Sequence, residues 1–294
     1  MTPPRRRPPG YLVDDPAAGV TVAERDGTTR IAVDASESPA VRRAVQDLVS
    51  DLAAVCGADA TLTDGTTAKI VVGTLGWSAA VDAAVAAGVL DVTALSEPDG
   101  SPRWEAFLVA EADGVLYLVG ADRRGTVYAV YDFAQAIGVS PWYWWGSIPP
   151  QQRDAIVVAR GARSADWPSV QFRGVFLNDE EELFHWARAH TADGTIGPET
   201  YRRVYELILR LKGNYLWPAM HVGAFNHDPE NGRLAHEMGV VIGTSHCDML
   251  LRSNEHEFRP WVATQGDPVE YDYSLPGRNR EQLQEYWRGS VEQN

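Results

Sequence analysis

The chain has 294 residues, of which 45% are hydrophobic and 22% are charged, and its formal net charge is −14. This composition is typical of a globular protein with a sizeable core, and it excludes a largely disordered chain. The negative charge makes nucleic acids and anionic membrane surfaces poor partners for the whole molecule. No segment reaches the roughly 18 consecutive apolar residues of a membrane-spanning helix.

The amino-terminal residues 1–10, MTPPRRRPPG, are rich in proline and arginine, and we expect them to form a disordered tail. They lack the apolar run that a secretory signal needs. The two cysteines, Cys56 and Cys247, lie far apart and give no indication of a disulfide framework. Together these features predict a cytoplasmic protein.

Residues 11–160 show the alternation of strands and helices that is typical of an α/β domain. In AVRRAVQDLVSDLAAVCG the apolar residues recur three or four positions apart, which predicts an amphipathic helix ending at Gly57. KIVVGT predicts a strand, and RRGTVYAVYDFAQAIGV predicts a further helix. Two strands are predicted around the turn at Asp113–Gly114, and a hairpin is predicted within Val20–Val33, with its turn at Asp26–Gly27.

The next segment, residues 161–169, is small, polar and proline-containing, and we interpret it as a linker. In residues 170–294 the strands VQFRGVFLND, NYLWPAM and VVIGTSH alternate with the helices PETYRRVYELILRLKG and RLAHEMG. This alternation predicts parallel strands with an active site at their carboxyl ends. A complete eight-stranded β/α barrel takes roughly 250 residues, so this region accommodates about three β/α units.

The first of these strands ends in the acidic run NDEEE, which contains Asn178, Asp179 and Glu180. Hydrolysis of a glycosidic bond needs one carboxyl group as acid and one as base. Asp179 and Glu180 lie nearest to the strand end and are the candidates for such a role. On composition alone, a solvated acidic loop at the start of a helix is the favoured interpretation.

The second strand, NYLWPAM, carries Asn214 and Trp217 and is followed by His221. The Trp217 indole offers a face on which a sugar ring can stack, and Asn214 offers hydrogen bonds to a hydroxyl group. An alternative interpretation is that Trp217 is a core side chain closing the top of a barrel. The sequence favours neither alternative.

The third strand runs into GTSHCDML, which places Ser245, His246, Cys247 and Asp248 side by side. Neighbouring side chains on a strand point to opposite faces, so adjacent residues here do not form a nucleophile and its base. A metal site would need His246 and Asp248 together with His221 or His227, a combination without a recognised spacing. The favoured interpretation is a strand end with His246 hydrogen-bonded internally.

The ordered strings RGVFLNDE, YELILRLKGNYLWPAMH, AHEMGVVIGTSHCDMLLR and WRGSV resemble glycoside hydrolase family 115, the xylan α-1,2-glucuronidases. The resemblance covers residues from about 170 to the carboxyl terminus. It implies an α/β fold: a hexosaminidase domain-2-like accessory domain over residues 11–160, followed by the first β/α units of a TIM (β/α)8 barrel over residues 170–294. The string GADRRGTVYAVYDFAQAIGVSPWYWW is similar to the accessory domain of that family.

The resemblance also implies an activity, which is the inverting, cofactor-free removal of (4-O-methyl)glucuronic acid side groups from glucuronoxylan or aldouronic acids. It implies a catalytic role for Asp179 and no metal. The substrate-binding residues that it implies are Asn178, Glu180, Asn214, Trp217, His221, Ser245 and His246.

The sequence departs from the family at the third strand, where Cys247, Asp248, Met249 and Leu250 replace the usual Cys/His-Glu-Pro-Met. Family members are several hundred residues longer, and we expect the partner acid or base to lie beyond residue 294. We therefore expect a truncated chain that is inactive on its own, with the remaining barrel portion or a second copy as its partner. The alternative is a non-catalytic carbohydrate-binding or assembly protein.

Overall fold

A computed structural model describes residues 10–63, 67–178, 181–220, 223, 225–244, 250 and 252–293. The chain divides into two compact units. The first comprises residues up to Gln171 together with Leu209–Lys212, and the second comprises Phe172–Ile208 and Gly213–Asn294. The predicted tail lies outside the described residues except for Gly10. None of the described helices is long and apolar enough to cross a membrane.

The described residues of the first unit form two sheets and three α-helices. Its helices are α1 (Pro39–Cys56), α2 (Ala79–Ala86) and α3 (Arg123–Ile137). Its strands are β1 (Leu12–Val13), β2 (Gly19–Glu24), β3 (Thr28–Val33), β4 (Asp59–Thr63), β5 (Ile70–Thr74), β6 (Phe107–Ala112), β7 (Val115–Gly120), β8 (Ala155–Ala159) and β9 (Arg163–Asp166). The larger sheet has the order β4-β3-β5-β7-β6-β9, and the smaller has the order β1-β8-β2.

Most of the local predictions for this unit are confirmed. Helix α1 begins after Ser38, whose side chain accepts a hydrogen bond from the backbone N–H of Val41, and it ends at Gly57 in the left-handed conformation. Strands β6 and β7 pair antiparallel around Asp113 and Gly114, which have φ values of 51° and 81°. Two successive residues with positive φ are the requirement of the tightest hairpin turns.

The predicted hairpin within Val20–Val33 is wrong. The chain does turn at Asp26 and Gly27, and the Gly27 N–H donates to the carbonyl of Glu24 at 3.0 Å. However, β2 pairs with β8 in the small sheet, whereas β3 pairs in parallel with β4 and β5 in the large one. The turn signal is local, but the strand partners come from distant parts of the chain.

The predicted linker, residues 161–169, contains the edge strand β9. Its residues Arg163–Asp166 pair antiparallel with β6 and add a sixth strand to the large sheet. An edge strand is held by backbone hydrogen bonds on one side only, so it needs no apolar pattern. This explains why a polar, proline-flanked segment resembles a linker in the sequence.

The second unit contains the three parallel strands that the sequence predicts. These are β10 (Gly174–Phe176), β11 (Tyr215–Trp217) and β12 (Val241–Ile242), in that spatial order. The helices are α4 (Glu182–His190), α5 (Pro198–Arg210, with its last two residues counted in the first unit), α6 (Pro229–Met238), α7 (Phe258–Ala263) and α8 (Arg278–Gln293). A Cβ atom at Gly174 would overlap the carbonyl oxygen of Tyr215, so the close approach of β10 to β11 requires glycine there.

Candidate functional site

The carboxyl ends of β10 and β11 present an aromatic pair. Phe176 and Trp217 are register partners on the two strands, with ring centroids 6.0 Å apart and ring planes 70° from parallel. Both side chains are unusually open for large apolar groups, with relative exposures of 46% and 38%. An edge-to-face arrangement of this kind holds two rings together while leaving a face of each for another group.

The orientation of the Trp217 indole is set by Tyr215. The two residues are separated by one position on β11 and therefore point to the same face of the sheet, while Leu216 between them is fully buried on the other face. The Trp217 Nε1–H donates to the Tyr215 hydroxyl oxygen at 3.0 Å. The Tyr215 ring in turn contacts Phe172, with centroids 5.5 Å apart. The indole is therefore held at both its ring edge and its nitrogen.

Gly243, which follows β12, completes this surface. Its N–H donates to the carbonyl of Leu216 at 2.9 Å. A Cβ atom at position 243 would overlap the Tyr215 hydroxyl and would lie 2.7 Å from Cδ1 of Trp217. Only glycine leaves room for the two aromatic side chains of β11 to cross the start of the GTSHCDML segment.

A cleft of about 560 Å³ opens over these residues. Pockets that bind small ligands typically measure about 300 to 1,000 Å³. Aromatic and aliphatic carbon and a few hydroxyl groups form its surface, a combination that suits a ligand with both an apolar face and hydroxyl groups. Its lining residues are Tyr215, Trp217, Ile242, Gly243, Thr244, Leu250, Ser290 and Val291.

The two predicted asparagines lie at opposite ends of the strands. Asn178 is exposed and follows Leu177, whose N–H donates to the carbonyl of Trp217 at 2.9 Å, so it belongs to the carboxyl edge. Asn214 precedes β11 at the amino edge and is fully buried. Its Oδ1 accepts from the Arg173 N–H at 2.9 Å, and its carbonyl accepts from the Val241 N–H at 2.8 Å. These bonds tie the three strands together, and they leave Asn214 away from Trp217.

The remaining predicted residues lie outside the described part of the chain. They are Asp179, Glu180, His221, Ser245 and His246. Cys247 and Asp248 lie outside it as well, so the metal hypothesis retains only His227, whose ring centroid is 5.6 Å from that of His256. Among the described residues, no group of three His, Cys, Asp or Glu side chains is arranged to hold a metal ion.

Sequence reasoning missed Phe176, Tyr215 and Gly243. The alternation Tyr215–Leu216–Trp217 was a usable signal, because it puts both aromatic rings on one face of a strand. No local signal identifies Gly243, since its role comes from the neighbouring strand.

Comparison with known proteins indicates a family of glycoside hydrolases. The family model of glycosyl hydrolase family 115 matches residues 165–294. Among solved structures, the chain is similar to a family 115 4-O-methyl-α-glucuronidase with specificity for decorated arabinogalactans, with a TM-score of 0.79 and 30% identity. The match covers 92% of this chain and 34% of that enzyme, so the chain spans about a third of the enzyme's length. No curated protein matches the chain.

More distant structures resemble the chain only in fold. A family 138 enzyme targeting pectin rhamnogalacturonan II aligns with a TM-score of 0.51 and 12% identity, over 90% of this chain and 36% of that one. A mutant β-hexosaminidase from Streptomyces plicatus aligns with a TM-score of 0.49 and 15% identity, over 90% of this chain and 52% of that one.

Proposed function

The chain belongs to glycosyl hydrolase family 115, and from this premise we propose that its second unit binds the glucuronic acid side groups of a plant polysaccharide. The observation that carries the proposal is Trp217, open to solvent at the carboxyl end of the central parallel strand. Enzymes built on parallel β/α units place their active sites at this edge.

The geometry of the aromatic surface supports the proposed stacking of a sugar on Trp217. One face of a pyranose ring presents C–H groups, which pack on the flat indole and remove apolar area from water. The bond from Nε1 to Tyr215 and the contact with Phe176 hold the indole in place before the ligand arrives. Such preorganisation lowers the entropy that binding has to overcome.

For catalysis, we propose Asp179 as a carboxylate of a cofactor-free hydrolysis, with Asn178, Glu180, His221, Ser245 and His246 as substrate-binding residues. An inverting glycosidase needs two carboxyl groups roughly 6.5 to 9.5 Å apart, so that a water molecule fits between the base and the sugar. We propose that the (β/α)8 barrel of the family contributes the second group from strands that follow the three described here.

Two substrates follow from this proposal. The resemblance in the sequence points to glucuronoxylan, whereas the similar solved enzyme has specificity for decorated arabinogalactans. Both polymers are therefore the substrates to test, and the shared element is a glucuronic acid side group on a neutral chain.

The proposal is tested by calorimetric titration of the full 294-residue chain with aldouronic acids and with glucuronic-acid-decorated arabinogalactan fragments. We expect binding that Trp217→Ala weakens at least tenfold. The matched control is Trp142→Ala, which removes another exposed tryptophan, at 48% exposure, from the first unit. Binding that is equal in wild type and Trp217→Ala would contradict the proposal, as would the absence of binding to both ligands.

A second candidate function is carbohydrate binding without hydrolysis. It is favoured by the side chains at the described carboxyl ends of the strands. There Phe176 and Trp217 offer aromatic rings for stacking, and Thr244 offers a hydroxyl group. Glucuronic acid release is measured in the same samples. Release by the wild-type chain that is lost in Asp179→Asn supports the hydrolase and contradicts the binding protein. Binding without release fits both candidates, because the second carboxyl group of the hydrolase is proposed to lie on strands that follow the three described here.

A further inference from the structure

The large sheet of the first unit reverses the direction of its connections between β3 and β5. From β3 the chain passes through α1 to β4 on one side, and from β5 it passes through α2 towards β6 and β7 on the other. Helix α2 packs on the face that carries Ala32 and Val71. Because side chains alternate along a strand, Ile31 and Ile70 face the opposite side, where α1 and α3 pack together.

The loop after β3 and the loop after β5 therefore lead to helices on opposite faces of the sheet. A crevice forms outside the carboxyl ends of the strands at such a reversal, and it is the place where open α/β sheets bind ligands. In this unit a cleft of about 280 Å³ lies at the reversal, between the loop after β3 and the start of α2. A larger cleft of about 500 Å³ lies beside it, over the ends of β3 and β4 and the side of α1. Both clefts are lined by Val33, Asp34 and Ala35, so they lie next to each other at the loop after β3.

Side chains of both charges line the larger cleft. Arg42 and Gln46 are exposed and lie four residues apart on α1, so they share one face of the helix. The Arg42 Nη1 donates to the carbonyl of Ala35 at 2.7 Å, which holds the guanidinium at the rim of the cleft. The Gln46 side-chain amide makes no hydrogen bond to any described residue. It is available to donate to and accept from a ligand.

Asp34 is the charged residue common to the linings of the two clefts. Its Oδ1 accepts from the backbone N–H of Ser36 at 2.9 Å and from the Ser36 hydroxyl at 2.8 Å. These hydrogen bonds lower the pKa of the Asp34 carboxyl group, so it is ionised at neutral pH. Arg42 carries the opposite charge in the lining of the same cleft, so the two side chains together suit a ligand without net charge.

An apolar wall completes the larger cleft. Leu62, the fourth residue of β4, is 50% exposed and lines the cleft together with Arg42 and Gln46. An exposed leucine next to a carboxylate, a guanidinium and an amide matches a ligand that combines C–H surface with several hydroxyl groups. That combination is the chemistry of a neutral sugar.

We propose that the larger cleft, beside the reversal and formed by Asp34, Arg42, Gln46 and Leu62, is a binding site for a neutral saccharide. It uses none of the residues of the proposed function and does not depend on it. The carboxylate and the amide oxygen accept from sugar hydroxyls, the guanidinium and the amide nitrogen donate to them, and Leu62 packs against the ring. Such a site attaches the chain to an undecorated stretch of polysaccharide.

The test is a calorimetric titration of the full chain with a panel of neutral hexasaccharides of xylose, galactose and glucose. We expect the wild type to bind at least one of them. Gln46→Ala should weaken that binding about fivefold, because one hydrogen bond contributes about 1 kcal/mol. Arg42→Ala should weaken it at least as much. The Gln46 side chain is exposed and makes no hydrogen bond to a described residue, so its replacement leaves folding intact, which thermal unfolding verifies.

Two control variants separate this site from other surfaces. Gln151→Ala removes an exposed glutamine outside the cleft and should bind the hexasaccharide as the wild type does. Trp217→Ala should also bind it normally, while losing affinity for aldouronic acids. The inference is overturned if the wild type binds none of the hexasaccharides. It is also overturned if Gln46→Ala and Arg42→Ala bind like the wild type, or if Trp217→Ala alone abolishes binding.

Discussion

Gly243 lies so close to the side chain of Tyr215 that any Cβ atom at position 243 would overlap the phenol hydroxyl. A residue of β11 and the residue that follows β12 thereby constrain each other, since the tyrosine side chain occupies the space that the glycine leaves. Through the hydrogen bond from Trp217 Nε1, this contact also determines where the indole can lie.

Gly243→Ala is predicted to displace the Tyr215 and Trp217 side chains together. Overpacking of this kind costs about 1 to 3 kcal/mol of unfolding free energy, and the affinity for aldouronic acids should fall at least tenfold. Denaturant unfolding and calorimetric titration measure the two effects.

The matched control is Gly232→Ala within α6, where an added Cβ atom meets nothing within 4 Å. Alanine is favoured over glycine inside a helix by about 1 kcal/mol, so this variant should gain stability and keep its affinity. A Gly243→Ala protein as stable and as tight-binding as the wild type would refute the role assigned to Gly243.

Tyr215→Phe removes the acceptor of the Trp217 N–H and keeps the aromatic ring. Because one hydrogen bond contributes about 1 kcal/mol, we expect affinity for aldouronic acids to fall about fivefold. Thermal stability should change little, since both side chains are partly exposed. Affinity unchanged from the wild type would show that the indole needs no such support.

Asp51→Ala is predicted to destabilise the first unit strongly. Asp51 accepts two hydrogen bonds from the Arg210 guanidinium, at 2.9 and 3.2 Å, and both side chains are buried. Removing one partner leaves an uncompensated buried charge, which costs about 3 to 5 kcal/mol. Chemical denaturation measures the loss.

Its control is Asp154→Ala, which breaks an ion pair with Arg25 of the same N–O distance, 2.9 Å, at the surface. An exposed pair contributes at most about 1 kcal/mol. Equal losses of unfolding free energy in Asp51→Ala and Asp154→Ala would show that burial does not strengthen the Asp51–Arg210 pair.

Alkaline pH is predicted to destabilise the second unit through Tyr205. Burial, followed by the nearby Tyr201, raises the pKa of Tyr205 above its ordinary value of 10.0, and its hydroxyl donates to the carbonyl of Asn231 at 3.1 Å. In the unfolded chain this group ionises near pH 10, whereas in the folded protein it stays neutral. The contribution of Tyr205 to the unfolding free energy is therefore fully present below pH 10, and it is lost as the pH rises above 10.

The expected decrease from this group is up to about 1.4 kcal/mol of unfolding free energy per pH unit. Unfolding curves between pH 8 and pH 11 measure it for the wild type and for Tyr205→Phe. The phenylalanine variant should have a shallower pH slope, and a slope identical to that of the wild type would count against this assignment.

Much of the architecture was predictable because its signals are local. The apolar spacing in α1 and α5, the left-handed turn at Asp113–Gly114 and the alternation of strands with helices after residue 170 all predicted the observed elements. The strand end at Trp217 was predictable as well, since the sequence places a tryptophan where a hydrophobic strand stops. The sheet to which β2 belongs was not predictable, because its partner strand β8 lies more than a hundred residues away in the sequence.

The sequence by itself determined the helices, the parallel strands of the second unit and the resemblance to family 115, because periodicity and ordered motifs depend on neighbouring residues. Only the tertiary structure decided that Asn214 bonds to the backbone at the amino edge, that residues 163–166 extend a sheet, and that Gly243 accommodates Tyr215. Each of these depends on backbone atoms that approach from distant positions in the chain. Such distances are set by packing, which no local pattern of residues encodes.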